Sequence, residues 1–390
     1  MKLSRRLTGV AILFCLAVSV QAVTKVREEI LGQERIIAFT YIGEYDPKEL
    51  RSLTFFAPAR PGDRTYWRKR GVVPAVGQTW YDLLKSPVDK AVDILINLDY
   101  GGDPNPVVCI DEFGFDYGGL TDQKSARILR LTKKKKPELN LTVWQMRGPI
   151  SHVLAAAYRD VVSLVLMEAY IGDKRAYWWI ATQVYVARMH GLLEKSIVAL
   201  GLSPPNSKDE QSWASTEKEV EQQLRFVRLI APESPGVGFF APAASPELLR
   251  YADKLCERFH DIPTDGTGLP EDVLRVHRLF TNSYDRPTLV TSPVWVEPNR
   301  EESDPNILVL PHTMRIFLLN IGDKAAQDVK VRLRNPEEEG GEVFAEGELD
   351  FVPEKYGMTA VLSWTKAARG WKMWDVEIEA DGCDILIFRF

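Results

Sequence analysis

From residue 35 to about residue 242, short apolar and β-branched runs alternate with segments whose apolar positions recur every three to four residues. The first pattern suits buried strands and the second amphipathic helices. Eight strands are expected: Ile36–Ile42, Leu53–Ala57, Gly71–Gln78, Val107–Phe113, Leu141–Met146, Ser163–Tyr170, Ile197–Leu202 and Gly236–Ala241. Helices are expected over Pro87–Leu98, Asp122–Lys134, His152–Asp160, Tyr177–Lys195, Thr216–Ile230 and Pro246–Phe259. Such alternation implies a parallel sheet, and eight strand–helix units in roughly 230 residues match a (β/α)8 TIM barrel. The competing open, doubly wound sheet normally carries a Gly-rich phosphate turn, and no G-x-G-x-x-G or Walker-type sequence occurs.

After Pro287 the helical period disappears. Short alternating runs follow at Val290–Glu297, Asn306–Leu310, Met314–Asn320, Val329–Arg334, Gly341–Leu349, Met358–Trp364, Met373–Ala380 and Ile385–Phe390. They predict a small all-β sandwich. Residues 315–333 resemble the immunoglobulin-like modules appended to many exported bacterial proteins, a likeness that implies no activity. The expected division is a signal peptide over 1–22, a catalytic barrel over 23–285 and an immunoglobulin-like sandwich over 286–390.

The export signal rests on Lys2, Arg5 and Arg6 before an apolar run from Gly9 to Val20, ending in the small-residue pattern Val20-Gln21-Ala22. That run is shorter than the roughly 20 residues a bilayer-spanning helix needs, so no membrane span is expected. Removing 1–22 takes away three basic residues and shifts the formal charge from −5 to −8, which gives no support to a nucleic-acid partner. Cys109, Cys256 and Cys383 are odd in number and far apart, which excludes a disulfide-stapled scaffold and leaves stability to buried apolar area. Cys109, inside an apolar run, reads as a core residue. Neither H-x-H, H-E-x-x-H nor Cys/His ligand spacing is present, so neither a metal nor another cofactor is expected. The absence of a G-x-S-x-G elbow disfavours a serine hydrolase. Asn140-Leu-Thr142 fits a glycosylation sequon, relevant only to a eukaryotic source.

A barrel keeps its chemistry on the C-terminal ends of its strands, so polar residues there need an explanation. Strand four ends in Ile110-Asp111-Glu112-Phe113 and strand six in Met167-Glu168-Ala169-Tyr170, each a carboxylate straight after an apolar run. A lone buried carboxylate is costly unless it is paired or working. Two carboxyls facing each other across a barrel mouth suit glycosidic cleavage, in which one protonates the leaving oxygen and the other acts as nucleophile or base. Glu112 and Glu168 are the preferred pair, with Asp111 as alternative or helper. Strand alternation lets only one of Asp111 and Glu112 face the axis directly. Asp116 is placed at the same mouth, Arg147 beside Glu168, Trp80 and Trp144 as stacking platforms for sugar rings, and Tyr41, Gln78, Gln145 and Tyr170 as hydrogen-bonding groups.

With these residues the chain resembles, over about 35–285, the exported (β/α)8 glycoside hydrolases that carry acids on strands four and six. Chitinase-like members have D-x-x-D-x-D-x-E on strand four and M-x-Y on strand six. The counterparts here are the run from Ile110 to Asp116, which does not match, and Met167-Glu168-Ala169-Tyr170. The resemblance implies a secreted or periplasmic glycosidase acting on a polysaccharide or oligosaccharide. A non-catalytic carbohydrate-binding barrel, or a lyase or esterase on the same scaffold, stays open beside it.

Overall fold

A computed structural model of the protein describes residues 35–113, 120–145, 150–170, 175–203, 214–291, 294–296, 313–334, 343–364 and 372–387. The expected export signal, Asp116, Arg147 and the expected strand Asn306–Leu310 lie outside the described residues. The chain divides into two compact units that part between Val276 and His277, inside the helix Glu271–Thr281, where the sequence pattern places the change at 286.

The first unit is built on parallel strands β1 (Ile36–Thr40), β2 (Phe55–Ala57), β3 (Val73–Pro74), β4 (Val76–Thr79), β5 (Val107–Phe113), β6 (Asn140–Gln145), β7 (Val162–Ala169), β8 (Ser196–Gly201) and β9 (Gly236–Phe240). Their hydrogen-bonded order is β3-β2-β1-β9-β8-β7-β6-β5-β4. The two ends of this series are one stretch of chain, interrupted only at Ala75. Its first half pairs with β2 (Phe55 opposite Val73) and its second with β5 (Val76 opposite Val108). At the break, the Ala75 amide donates to the Phe56 carbonyl at 2.9 Å, and the Ala75 carbonyl accepts from the Ala59 amide at 2.8 Å. The sheet thus closes on itself, and the nine strands make eight staves, with β5 as the fourth and β7 as the sixth.

Strands covered on both faces read as continuous apolar runs, and Ile36 to Phe39 are buried without a break. Alternate residues form the barrel interior: Ile36 and Ala38, Phe55 and Ala57, Val73 and Ala75, Val107 and Cys109, Trp144, Leu164 and Leu166, Ile197 and Ala199. The eighth stave contributes glycine at this level, for a Cβ on Gly238 would lie 3.5 Å from that of Ala199 and 3.6 Å from that of Ala38.

The crossover helices match the sequence pattern. They include Val88–Ile96, Leu120–Lys135, His152–Val161, Arg175–Met189, Glu217–Ile230 and Pro246–Cys256. Their starts are chemically marked. Thr216 and Glu219 form a reciprocal capping box, and Ser245 caps a helix whose first residue is Pro246. The β1–β2 connection holds only the 3-10 turn Pro47–Glu49. Among the described residues no helix is long and apolar enough to cross a membrane.

The second unit is all β. Strands β10 (Thr288–Thr291), β11 (Val294–Val296), β12 (Thr313–Asn320), β13 (Ala326–Arg334), β14 (Val343–Val352), β15 (Tyr356–Trp364), β16 (Lys372–Glu379) and β17 (Asp384–Ile387) run in the order β11-β16-β13-β14-β15-β12-β10-β17. Pairings are antiparallel except between β10 and β17. One core, including Leu318, Val329, Val331, Leu333, Leu362 and Ile378, is shared by β12, β13, β15 and β16. Opposite charges alternate on exposed positions, as where Arg332 meets Glu379 at 2.7 Å.

Candidate active site

The fourth stave does not keep its alternation to the end. Ile110 is opposite Val143 on β6, but Phe113 is opposite Gln145, so three steps on one strand match two on its neighbour. One extra residue is accommodated at Asp111-Glu112, a β-bulge, and Glu112 takes the left-handed conformation at φ 54°. The bulge inverts the strand's phase beyond it. Phe113 faces the helical layer, 4.6 Å from the Trp80 ring and 5.9 Å from Tyr158. Asp111 keeps the inward phase of Val107 and Cys109, and with Thr40, Tyr41, Gly77, Cys109 and Trp144 it lines a recess with room for about one water.

Both Asp111 oxygens are engaged. Oδ2 accepts from the Tyr41 hydroxyl at 2.9 Å and Oδ1 from the Glu112 amide at 3.0 Å. Tyr41 follows the first stave and is itself left-handed, at φ 47°. Burial raises the Asp111 carboxyl above its ordinary range, and the two hydrogen bonds partly offset this by favouring the anion. Most of Glu112 is exposed, yet partial loss of water around its carboxyl, and after it the Asp111 charge, raises it above the usual range. The Tyr41 phenol is pushed well above its usual value by burial, then by Asp111 and more weakly by Cys109 and Glu112. Burial likewise pushes the Cys109 thiol up to about 12, which suits a core residue and not a nucleophile.

On the sixth stave Glu168 shares the phase of Leu164 and Leu166 and lies opposite inward-facing Ala199 of β8. It is buried at 8% exposure, and its backbone carbonyl accepts from the Gln183 side chain. Between the two acidic staves, Trp144 of β6 donates its indole N–H to the Tyr170 hydroxyl at 2.7 Å. Tyr170 stacks on Phe240 at 4.9 Å, and Phe240 meets Tyr41 edge-on at 5.5 Å. An aromatic arc therefore runs Trp144–Tyr170–Phe240–Tyr41 and ends on Asp111. The sequence reading names all of its members except Phe240. The one signal for Phe240 is its place at the end of the eighth apolar run.

Three expected site residues face elsewhere. Trp80 is 1% exposed, opens the short helix Trp80–Lys85 and packs against Phe113, so it offers no face to a sugar. Gln145, out of phase with inward Trp144, accepts from the Tyr158 hydroxyl in the helical layer. Gln78 alternates with recess-lining Gly77, and its side-chain amide donates to the adjacent Thr79 carbonyl at 3.2 Å. The sequon Asn140 is buried, its amide donating to the carbonyls of Pro106 and Glu138. Among the described residues no three His, Cys, Asp or Glu side chains converge to hold a metal ion.

No protein-family model matches the sequence, and no curated protein matches it. Solved structures similar to the chain include glycoside hydrolases. An endo-β-N-acetylglucosaminidase from Cordyceps militaris is 10% identical at TM-score 0.41, over 60% of this chain and 94% of that one. The catalytic domain of a chitinase from Pyrococcus furiosus is 9% identical at TM-score 0.43, over 59% and 96%. A modular endo-β-1,4-mannanase from Cellulomonas fimi is 10% identical at TM-score 0.39, over 92% and 97%.

Proposed function

We propose that the barrel mouth is the active site of a glycosidase that cleaves O-glycosidic bonds of a polysaccharide or oligosaccharide, using Glu168 and Asp111 as its carboxyl pair. The supporting observation is that Asp111 lines the recess at the end of the fourth stave and Glu168 shares the inward phase of the sixth, on the strands that flank Trp144. Oxocarbenium-like chemistry needs one protonated and one ionised carboxyl on either side of the scissile bond. Asp111 takes the place the sequence pattern assigned to Glu112, because the bulge turns the Glu112 backbone left-handed and leaves its side chain exposed. Tyr170 and Tyr41 offer hydroxyls and ring faces to a sugar. The basic and apolar pattern of residues 1–22 supports export, which puts the substrate outside the cytoplasm. The C-terminal unit, read as an immunoglobulin-like module, supplies none of these groups.

The test is turnover of a glycan panel by the full chain and by Asp111→Asn, Glu168→Gln and Glu112→Gln. Each of the first two is expected to lose roughly 10²- to 10⁴-fold in rate, the usual worth of a positioned acid or base, and the third far less. Full activity in both of the first two variants overturns the assignment. Binding without turnover by the unaltered protein favours a carbohydrate-binding role.

A further inference from the structure

The bond between Tyr41 and Asp111 joins the first stave to the fourth, and both of its ends adjoin a left-handed, non-glycine residue: Tyr41 itself and Glu112. Side chains rarely adopt this backbone conformation, and such residues concentrate where surrounding structure fixes a functional group. Here the group fixed is the Asp111 carboxyl. The Glu112 amide on Oδ1 is a donor that cannot become an acceptor. A proton on Asp111 is therefore favoured on Oδ2, where the Tyr41 hydroxyl must give up the bond it donates to the anion and turn to accept instead.

Resting on the glycosidase reading, we propose that Tyr41 is a positioning residue that holds Asp111 ionised and in one orientation, leaving Glu168 to carry the catalytic proton. In the reaction so assigned, Glu168 gives its proton to the leaving glycosidic oxygen as the bond to the anomeric carbon breaks. The Asp111 carboxylate meets the positive charge developing at that carbon, and a water, the second substrate of hydrolysis, then bonds the carbon through its oxygen and returns a proton to Glu168. The titratable groups that act on Asp111 or are acted on by it are Tyr41 from the first stave and Cys109 and Glu112 from its own, while Glu168 and Tyr170 end the sixth stave, two strands away across β6. Cys109 stays a neutral thiol, so Tyr41 is the neighbouring donor whose removal shifts the balance toward the acid. Its ring packs edge-on against Phe240, a contact that Tyr41→Phe preserves.

The decisive experiment is a pH titration of the full chain carrying 13C-labelled aspartate carboxyls, with the Asp111 signal identified by its loss in Asp111→Asn. In Tyr41→Phe the Asp111 midpoint is expected to rise by about one pH unit, the other aspartates staying in place. A second measurement approaches the pair from the other side: in Asp111→Asn the Tyr41 phenol should titrate closer to an ordinary tyrosine. Unchanged midpoints in both overturn the proposal, since a purely structural tyrosine would alter melting and not titration. Neither measurement uses a substrate, so a failed glycan panel sinks the glycosidase reading while the titration still decides whether Tyr41 controls Asp111. Where a glycan is turned over, Tyr41→Phe should lower kcat with little change in KM and move the acid limb of the profile to higher pH.

Discussion

Glu112 is the residue whose backbone and side chain disagree most with its surroundings. It is exposed, yet it occupies a left-handed conformation that glycine accepts readily. What holds it there is its amide, bonded to the Asp111 carboxyl, and the bulge it completes. Glu112→Gly keeps that amide and removes the Cβ conflict, so it should stabilise the protein by about 1 kcal/mol, and Glu112→Ala should give no such gain. Urea unfolding midpoints of the two variants distinguish a strained backbone from a side chain with contacts of its own; a destabilised glycine variant rules out the first. The neighbouring Asp111 shows how much was legible here. That an acid ends the fourth stave is plain from the sequence, but which of two adjacent acids faces inward depended on a bulge that strict alternation does not anticipate. Phe113 records the same event, for unbroken alternation would point it inward with Asp111.

At the level of elements, closure of the barrel depends on how near β9 comes to β1. A Cβ on Gly236 would stand 1.7 Å from the Ile36 carbonyl oxygen and 2.9 Å from the Ile36 nitrogen, both backbone atoms with nowhere to move. Two residues on, a Cβ on Gly238 meets only ordinary contacts at 3.5–3.6 Å. Gly236→Ala is therefore expected to cost on the order of 4 kcal/mol or more by forcing the strands apart, and Gly238→Ala to stay close to neutral. Thermal melts of the two variants check this, and equal melting temperatures would show that β9 and β1 can part cheaply. The run Gly236-Val-Gly-Phe-Phe240 reads as a strand in sequence, but nothing in it says which glycine touches backbone. Helix limits were more legible, because caps such as Thr216–Glu219 and Ser245–Pro246 are local chemistry.

For the molecule as a whole, two cores stabilise two units, and the first also carries partly buried acids at its mouth. Asp111 is held above its ordinary pKa chiefly by burial, so the native state binds this proton more tightly than the unfolded chain does. Its contribution to stability is greatest below the ordinary carboxylate range and is lost as pH rises through the raised native value. At neutral pH the charged Asp111 thus weighs against folding, and Asp111→Asn should be more stable than the unaltered protein there, the advantage fading toward pH 3. Denaturant unfolding at both pH values measures this, and an equal difference at the two would assign the effect to packing instead of charge. Such a cost in stability is in keeping with the active site proposed above.

The period of the apolar residues by itself determined the eight staves, their order along the chain and the change to an all-β unit, because burial on one or two faces writes directly into local pattern. It also marked Asp111, Glu168, Tyr41, Trp144 and Tyr170, since polar or aromatic residues ending apolar strands stand out. Only the tertiary structure decided which of these face one another. It turned Trp80, Gln78 and Gln145 away from the mouth, brought Phe240 in, and joined Tyr41 to Asp111 across 70 positions of sequence. The physical reason is that strand phase and barrel closure are set by contacts between distant segments, and a single bulged residue reverses every inward and outward assignment after it.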